Sequence, residues 1–374
     1  MKVYADCAAT TRICLSSFFE MREVVLKDWA NPSSAHDYGD RARIKLDDAR
    51  EKIASCINAS PEEIYFTSGG TESNNWACEI GKHFSPVCYV SEIEHPSVME
   101  SAKARFRKFS TIHANTDGII DPDAAEDEIR HDAAFISVMT ANNEIGTIQP
   151  VLDLSHRYSK AYLFHADAVQ AVGHIPVDVK ELGVDMLSAS AHKFHGPKGV
   201  GFLYVRKGTP MVPLHYGGGQ ERGMRSGTEN VPGICGMATA LLEATRNLPE
   251  TMARVTRMRD KLIDGLLEIP GTSLNGSREH RLPGNVNICF DGVCGDSLAL
   301  LLNQHGIAVS TGSACSTGDL RPSHVLKAIG LTDEQARSSI RITIDDYNTD
   351  AEIDYILDTV PECVAYLRRM SAYI

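Results

Sequence analysis

The chain of 374 residues has no apolar run that approaches the roughly 20 residues needed to span a bilayer. Its first residues, MKVYADCAATT, have no apolar stretch after Lys2 and therefore lack the pattern of a secretory signal. Basic residues are also in deficit, because 37 lysines and arginines against 49 acidic residues leave a net charge of −12. We therefore predict a cytoplasmic protein that binds neither membranes nor nucleic acid.

The ten cysteines lack the spacings of the usual metal and redox motifs. No Cys-x-x-Cys pair occurs, which excludes the usual zinc-ribbon and thioredoxin patterns, and we expect no metal site in the chain itself. Most of the cysteines lie in apolar or helical stretches, which predicts buried, reduced thiols. Cys315 differs, because it lies in a run of small and polar residues from Ser310 to Asp319. This context predicts an exposed, mobile thiol.

Internal repeats, low-complexity segments and long linkers are also absent. From about residue 42, helical stretches alternate with the β-like runs EIYFT, PVCYV, FSTIHA, AAFISVMT, AYLFHAD, MLSAS and GVGFLYV. This alternation predicts an α/β fold with a mostly parallel central sheet covered by helices. A long helix is predicted at 246–268, and the later runs NVNICF, IAVST and SSIRITI predict a smaller α+β domain. We assign residues 13–247 to the large domain, and residues 1–12 and 248–374 to the small one.

Polar residues follow the carboxyl ends of the predicted strands, which is where ligands bind in open parallel sheets. The first group is the turn from Ser68 to Thr71, which opens a helix and suits a phosphate group. The same turn could be a plain strand-to-helix connection capped by Thr71. His95 follows the next strand, and its alternative interpretation is a polar surface residue.

Later strands end in a similar way. Asn142 and Asn143 follow FISVMT, although such a pair often does no more than shape a turn. Asp167 ends an apolar strand, and its alternative role is a salt bridge within the fold. Lys193 follows MLSAS and could be an ordinary surface lysine. Arg341 lies inside an apolar strand, where a guanidinium needs a carboxylate partner.

These groups together form the set that a phosphorylated cofactor with a basic ring nitrogen and an aldehyde requires. Gly70 and Thr71 would take the phosphate, and His95 would stack on the ring. Asp167 would keep the ring nitrogen protonated. Lys193 would bond covalently to the aldehyde. The set predicts pyridoxal 5'-phosphate as the cofactor.

The chain resembles the NifS/IscS-like cysteine desulfurases, a class V aminotransferase branch of the fold type I pyridoxal-phosphate enzymes. The resemblance extends over nearly the whole chain. Its motifs are Asp6-x-Ala-Ala-Thr-Thr, Asn31-Pro-Ser-Ser-x-His, Thr67-Ser-Gly-Gly-Thr-Glu-Ser, Asn142-Asn-Glu-Ile-Gly, His165-x-Asp-x-x-Gln, His192-Lys, Arg222-Gly-Met-Arg-Ser-Gly-Thr and Ser339-Ile-Arg. The chain departs from the family after Arg341, where Asp345-Asp346-Tyr347 replaces a glycine-containing turn.

The resemblance also implies roles for individual residues. The phosphate would be held by Gly70, Thr71, Ser190, His192 and, from the neighbouring subunit of a homodimer, Thr228. The cofactor ring would contact His95, Asn143, Asp167 and Gln170. The substrate carboxylate would be taken by Asn143 and Arg341.

The implied reaction converts L-cysteine to L-alanine, with Lys193, His95 and Cys315 as the catalytic residues. Sulfur would pass to Cys315 as a persulfide and then to an acceptor protein, either an iron–sulfur scaffold or a thiolation enzyme. Cys315 could also ligate an iron–sulfur cluster shared with that partner. Two alternatives stay open: a selenocysteine lyase, which shares the cofactor site, and a catalytically silent sulfur-assembly scaffold that keeps only the fold.

Overall fold

The computed structural model describes residues 1–129, 134–158, 162–311 and 321–371. Cys315, the predicted sulfur-accepting residue, lies outside these ranges. Within them, none of the helices combines the length and the apolar character that crossing a membrane requires.

Strands and helices alternate through most of the first 246 residues. The strands are β1 (Val3–Tyr4), β2 (Ile64–Thr67), β3 (Val87–Ser91), β4 (Lys108–Ile112), β5 (Phe135–Ser137), β6 (Leu163–Asp167), β7 (Met186–Ser190) and β8 (Gly201–Val205). The helices are α1 (Leu15–Lys27), α2 (Asp37–Cys56), α3 (Gly70–Phe84), α4 (Pro96–Arg105), α5 (Pro122–Glu128), α6 (Val151–Tyr158), α7 (Val179–Leu182) and α8 (Val231–Arg246).

The remainder of the chain adds short strands between helices. The strands are β9 (Thr272–Leu274), β10 (Asn285–Phe290), β11 (Ile307–Ala308) and β12 (Ser339–Thr343). The helices are α9 (Leu248–Leu267), α10 (Gly295–Gln304), α11 (His324–Ala328), α12 (Asp333–Arg337) and α13 (Asp350–Ser371). The long helix predicted at 246–268 is therefore confirmed as α9, and Asn247 separates it from α8.

The large sheet has seven strands in the order β2-β8-β7-β6-β5-β3-β4. The five strands from β7 to β4 run parallel, whereas β8 is antiparallel to both of its neighbours. Strands β6, β7 and β8 are buried along their whole length, as expected for a sheet covered on both faces. The predicted mostly parallel, helix-covered sheet is confirmed.

A separate sheet and a separate hydrophobic core lie in the C-terminal part. Strands β9, β10 and β12 form an antiparallel sheet, and β1 pairs in parallel with β11. Val3 and Ala5 pack into a core whose other members come from residues 255–364. These contacts agree with the assignment of residues 1–12 to the small domain, and the domain boundaries themselves stay a prediction.

The carboxyl ends of four strands meet at one edge of the large sheet. β3, β6 and β7 are mutually parallel there, and β2 shares their direction because it is antiparallel to the reversed strand β8. The turn after β2, the loop after β3, Asp167 at the end of β6 and Ser190 at the end of β7 therefore lie together. This edge holds the candidate site.

Candidate active site

The turn between β2 and α3 approaches the ends of β6 and β7 closely. Gly69 has a φ of +147°, which favours glycine, and it is the N-cap of the 15-residue helix α3. A Cβ on Gly70 would lie 2.7 Å from Cγ2 of Val169, so only glycine fits unless Val169 shifts. The first-turn N–H groups of α3, which have no partner within the helix, thus face a cavity that Ser190 also lines. This arrangement suits a phosphate group.

Asp167 is held by N–H donors. Its side chain is buried, and Oδ1 accepts from the backbone N–H of Val169 at 3.0 Å. Oδ2 accepts from Nδ2 of Asn74 at 2.7 Å. No ion pair involves Asp167 within the described ranges, so the structure gives no support to the salt-bridge alternative. Both oxygens accept hydrogen bonds, which fits an ionised carboxylate.

Lys193 lies in a short 3-10 turn, Ala191–Lys193, directly after β7. Its Nζ donates to the backbone oxygens of Ala8 and Ala9, the second at 3.0 Å. Nε2 of Gln170 donates to the same oxygen of Ala8 at 3.0 Å. The N-terminal segment therefore holds the amine of Lys193 at the wall of the cavity, and the surface-lysine interpretation is wrong.

His95 is the N-cap of α4, and its Nδ1 faces the first turn of that helix. The backbone N–H of Ser97 donates to Nδ1 at 3.1 Å, and Oγ of Ser97 lies 2.8 Å from the same atom. Burial lowers the pKa of His95; Asp167 acts to raise it, and Lys193 and His324 act to lower it. His95 is therefore a neutral imidazole near neutral pH.

Arg341 on β12 reaches the cavity from the other sheet. It is 2% exposed, and its Nη2 pairs with Oδ1 of Asp6 at 2.8 Å. Nη1 donates to the backbone oxygen of Asn143 at 3.2 Å. Its Nε is buried and has no hydrogen-bond partner in the part of the chain that the structure describes. The predicted carboxylate partner is thus present, and the Nε–H of the guanidinium is left without a partner among the described residues.

The two asparagines after β5 have different positions. Asn142 is buried, and its Oδ1 accepts from the backbone N–H groups of Glu144 and Ile145 at 2.8 and 3.0 Å. Asn142 therefore shapes the turn, as the alternative interpretation proposed. Asn143 lines the cavity.

The structure brings most of the predicted site residues around one cavity of about 180 Å³. The predicted residues that line it are Gly70, Thr71, His95, Asn143, Asp167, Gln170, Ser190, His192, Lys193 and Arg341. Thr228, expected to act in the neighbouring subunit, is exposed and is not among the lining residues. The predicted roles of these residues stay predictions.

Sequence reasoning missed five lining residues, namely Ala8, Asn74, Ser97, Met139 and Val169. Asn74 lies one helical turn after Gly70 on α3, so helical spacing could have placed it on the cavity face. Ser97 follows His95 by two residues at the start of a predicted helix. The motif Asp6-x-Ala-Ala-Thr-Thr includes Asp6, but no sequence signal pairs it with Arg341, which is 335 residues away in the chain.

These residues fit pyridoxal phosphate. The cavity combines a glycine turn at a helix N-terminus, a carboxylate with both oxygens hydrogen-bonded, a lysine amine and a buried arginine with an unpartnered Nε. Phosphate, ring nitrogen, aldehyde and substrate carboxylate each require one of these groups.

A second cluster of titratable groups lies beside Lys193, outside this cavity. Nε2 of His195 is 3.1 Å from Oδ1 of Asp346 and 3.7 Å from Oδ2 of Asp345. Sγ of Cys7 donates to Oδ2 of Asp345 at 3.1 Å. Potential metal-ligand atoms of His195 and the two aspartates lie within 4.8 Å of one another, a cluster that sequence reasoning missed. Here they are paired with each other. We call this group the His195 cluster.

The hydrogen bond to Asp346 controls the protonation of His195. Burial acts to lower the pKa of His195, but this hydrogen bond and the charge of Asp345 outweigh it, so the pKa is raised. Burial likewise acts to raise the pKa of Asp346, and the bond to His195 lowers it instead. The pair therefore favours an imidazolium and a carboxylate.

The described residues on either side of Cys315 lie against the site. Ser310 and Arg341 exchange backbone hydrogen bonds of 3.1 and 2.7 Å. Nε2 of His324 bonds to the backbone oxygen of Glu94 at 2.9 Å, next to His95.

Residues 3–356 match the model of the aminotransferase class-V family. The chain is 44% identical to the cysteine desulfurase IscS of Methanosarcina thermophila, over 99% of this chain and 93% of that protein. It is 46% identical to the cysteine desulfurase IscS of Dictyoglomus turgidum, over 100% of this chain and 97% of that protein. A solved NifS-like protein superposes with a TM-score of 0.92 at 40% identity, over 98% of this chain and 100% of that one.

The family match spans nearly the whole chain, and the relatives align along almost their full length. The chain therefore belongs to the aminotransferase class-V family, in its pyridoxal-phosphate-dependent cysteine desulfurase branch.

Proposed function

We propose that this chain converts L-cysteine to L-alanine and transfers the sulfur to Cys315 as a persulfide. The observation that carries this proposal is the convergence of Lys193, Asp167 and Arg341 on one cavity. Each group matches one part of the chemistry: a base at the amino acid's Cα, a charge at the cofactor ring and an anchor for the carboxylate.

Pyridoxal phosphate, when bound, supplies a ring that withdraws electrons from the Cα of the amino acid. The N–H groups of Gly70 and Thr71, with Ser190 and His192, would hold its phosphate. Asp167 would hold a proton at the ring nitrogen, because an adjacent carboxylate favours the protonated form.

Arg341 and Lys193 act on the amino acid itself. Arg341 would bind the substrate carboxylate through its N–H fork, oriented by Asp6. That orientation would present the Cα hydrogen to the amine of Lys193, which would take the proton and return it. The carbonyls of Ala8 and Ala9 position that amine.

The sulfur step breaks the Cβ–S bond of cysteine and forms an S–S bond at Cys315. The Cys315 thiolate attacks the substrate sulfur, the bonding electron pair stays with Cβ, and a proton completes the alanine methyl group. Thiol plus cysteine thus give persulfide plus alanine, with atoms and electrons balanced. A protein thiol that accepts the terminal sulfur from Cys315 would complete the cycle, on an iron–sulfur scaffold or a thiolation enzyme.

The proposal includes a homodimer in the cytoplasm. Thr228 is exposed, and its loop is tied to the start of α3 through Arg225 and Glu72, whose Nε and Oε1 are 2.8 Å apart. A loop held there suits donation of Thr228 to the phosphate of a neighbouring subunit. Gel filtration of wild type, with cofactor-binding assays of Thr228→Val, tests this arrangement.

Alanine production from L-cysteine by the purified holoenzyme tests the function. Wild type and Lys198→Ala, an exposed lysine five residues from Lys193, should produce alanine. Lys193→Ala should lower the rate of alanine formation at least about 10⁴-fold. This substitution removes both the amine that bonds to the cofactor aldehyde and the base that moves the Cα proton. Appreciable turnover by Lys193→Ala would contradict the assignment.

The same assay with L-selenocysteine separates the remaining alternatives. A desulfurase should turn over L-cysteine and should lose that activity in Cys315→Ala. Turnover of selenocysteine alone, unaffected by Cys315→Ala, would indicate the selenocysteine lyase. A wild-type protein that binds pyridoxal phosphate but turns over neither amino acid would indicate the silent scaffold.

A further inference from the structure

We propose that Ser97 and Asn74 are positioning residues that keep the proton of His95 on Nε2. His95 then lines the cavity as a neutral hydrogen-bond donor and does not itself take the proton of the attacking thiol. The inference deepens the proposed function and rests on it for the catalytic meaning, whereas the proton position itself follows from hydrogen bonds within the chain.

The direction of the hydrogen bonds is set at Asp167. A carboxylate only accepts, so the side-chain amide of Asn74 must present Nδ2 to Oδ2 of Asp167, which lies 2.7 Å away. Asn74 is 1% exposed, and its Oδ1 has no hydrogen-bond partner within the described ranges. Nδ2 also donates to Oγ of Ser97 at 2.8 Å, which uses its second hydrogen. The amide orientation is therefore fixed.

The direction continues through Ser97 to His95. Because Oγ of Ser97 accepts from Asn74, its own hydrogen can point to Nδ1 of His95, 2.8 Å away. The backbone N–H of Ser97 lies 3.1 Å from the same nitrogen and can only donate. Both contacts require a lone pair on Nδ1. The single proton of a neutral His95 is consequently on Nε2, at the opposite edge of the ring.

Burial, more than the surrounding charges, keeps His95 neutral. The titratable groups that face it are Asp167, Lys193 and His324; burial, Lys193 and His324 lower its pKa, and Asp167 opposes them. A neutral imidazole protonated at Nε2 has no lone pair there, so it cannot take a proton from a thiol in the cavity. It can donate a hydrogen bond to a sulfur anion.

Nitrogen-15 NMR of histidine-labelled holoenzyme reads the proton position directly. A neutral imidazole gives different shifts for a protonated and an unprotonated ring nitrogen, and His95→Gln identifies the His95 signals. We expect Nε2 to be protonated and Nδ1 unprotonated at neutral pH. A proton on Nδ1, or on both nitrogens, would overturn the proposal.

Variants of Ser97 separate the relay from a merely structural role. Ser97→Ala removes one hydrogen bond to the Nδ1 lone pair, so the pKa of His95 should rise by about 1. Ser97→Thr keeps the hydroxyl and should restore the wild-type value. The control is Ser101→Ala on the same helix, whose hydroxyl accepts from Nη1 of Arg105 and lies outside the cavity.

A double variant tests whether the two residues act as one chain. Adding Asn74→Leu to Ser97→Ala should raise the His95 pKa no further, because Asn74 acts on His95 through the Ser97 hydroxyl, which is already absent. An unchanged His95 pKa in Ser97→Ala would contradict the proposal, and so would shifts of the His95 pKa that add fully in the double variant. Loss of alanine production with the Nε2 proton in place would refute the proposed function and leave the proton assignment standing.

Discussion

The two histidines around Lys193 have opposite protonation behaviour in this chain. Burial favours the neutral form of both, yet the pKa of His95 is lowered and that of His195 is raised. His95 meets a hydroxyl and a backbone N–H, and Lys193 and His324 act to lower its pKa while Asp167 opposes them. His195 lies within 4 Å of the carboxylates of Asp345 and Asp346. Burial is the main cause of the lowered pKa of His95, whereas at His195 the carboxylate partners outweigh burial.

The two regions also differ in what they connect. The cavity around His95 gathers the groups that would hold cofactor and substrate. The His195 cluster instead joins the turn after Lys193 to the segment after β12, which places Arg341. We therefore expect substitutions in the cavity to change catalytic rate with little change in stability. Substitutions in the His195 cluster should change stability with little change in rate.

Among cavity substitutions that keep Lys193, Asp167→Asn should give the largest fall in catalytic rate. The amide keeps the shape and a hydrogen bond but removes the charge that holds a proton at the ring nitrogen. Alanine formation should fall by about 10²- to 10³-fold, the usual effect of losing one preorganised electrostatic group. The melting temperature should stay near that of wild type. Asp178→Asn, at the N-cap of α7, is the matched control, and near-normal turnover by Asp167→Asn would make Asp167 a structural carboxylate.

Arg341→Ala should combine both kinds of effect, because Arg341 lies in the cavity and also pairs with Asp6. Loss of a charge-assisted hydrogen bond of about 2–3 kcal/mol to the substrate carboxylate should raise the KM for L-cysteine about 30- to 140-fold. Steady-state kinetics and thermal melts separate the two contributions. Asp6→Asn should reproduce most of the stability loss with a smaller change in KM. Equal KM values for wild type and Arg341→Ala would mean that Arg341 has only a structural role.

His195→Gln should give the smallest effect, confined to stability. The raised pKa means that the stabilising contribution is fully present below about pH 6.5 and is lost as pH rises through the folded-state value. Asp346 acts in the other direction, because its pKa is lowered in the folded state. Its contribution to stability is lost only in acid, as the pH falls through that lowered pKa. His195→Gln should therefore lower the free energy of unfolding by about 1 kcal/mol near pH 6, a modest amount because Asp346 is 41% exposed. The loss should be smaller at pH 9, where His195 of the wild type has given up its proton.

Thermal melts across this pH range, with His156→Gln as a control, measure the difference. His156 is exposed and bonds only to the backbone oxygen of Glu181 among the described residues. Two results would contradict the distinction between the two regions. One is a stability difference between wild type and His195→Gln that grows with pH, and the other is a large fall in turnover by His195→Gln without loss of stability.

The sequence predicted the cavity well because its residues lie in short motifs at strand ends. Gly70, His95, Asp167 and Lys193 each follow a recognisable strand, and parallel strands bring such ends together. The mostly parallel sheet and the helix α9 followed from the same local patterns.

The missed features depend on segments that are distant in the chain. Asp6 meets Arg341 across 335 residues, and His195 meets Asp346 across two separate sheets. Nothing in local spacing indicates such pairings. The relay from Asp167 to His95 needs the relative position of α3, α4 and β6, which side-chain packing sets and the sequence pattern does not.

Mass spectrometry of the protein after reaction with L-cysteine alone tests the central claim most directly. We expect one additional sulfur on the peptide that contains Cys315, with one alanine formed per persulfide. Cys294→Ser, which removes an exposed thiol, should leave this result unchanged, whereas Cys315→Ser should bind cysteine and release almost no alanine. A persulfide on another cysteine, or full alanine production by Cys315→Ser, would contradict the account.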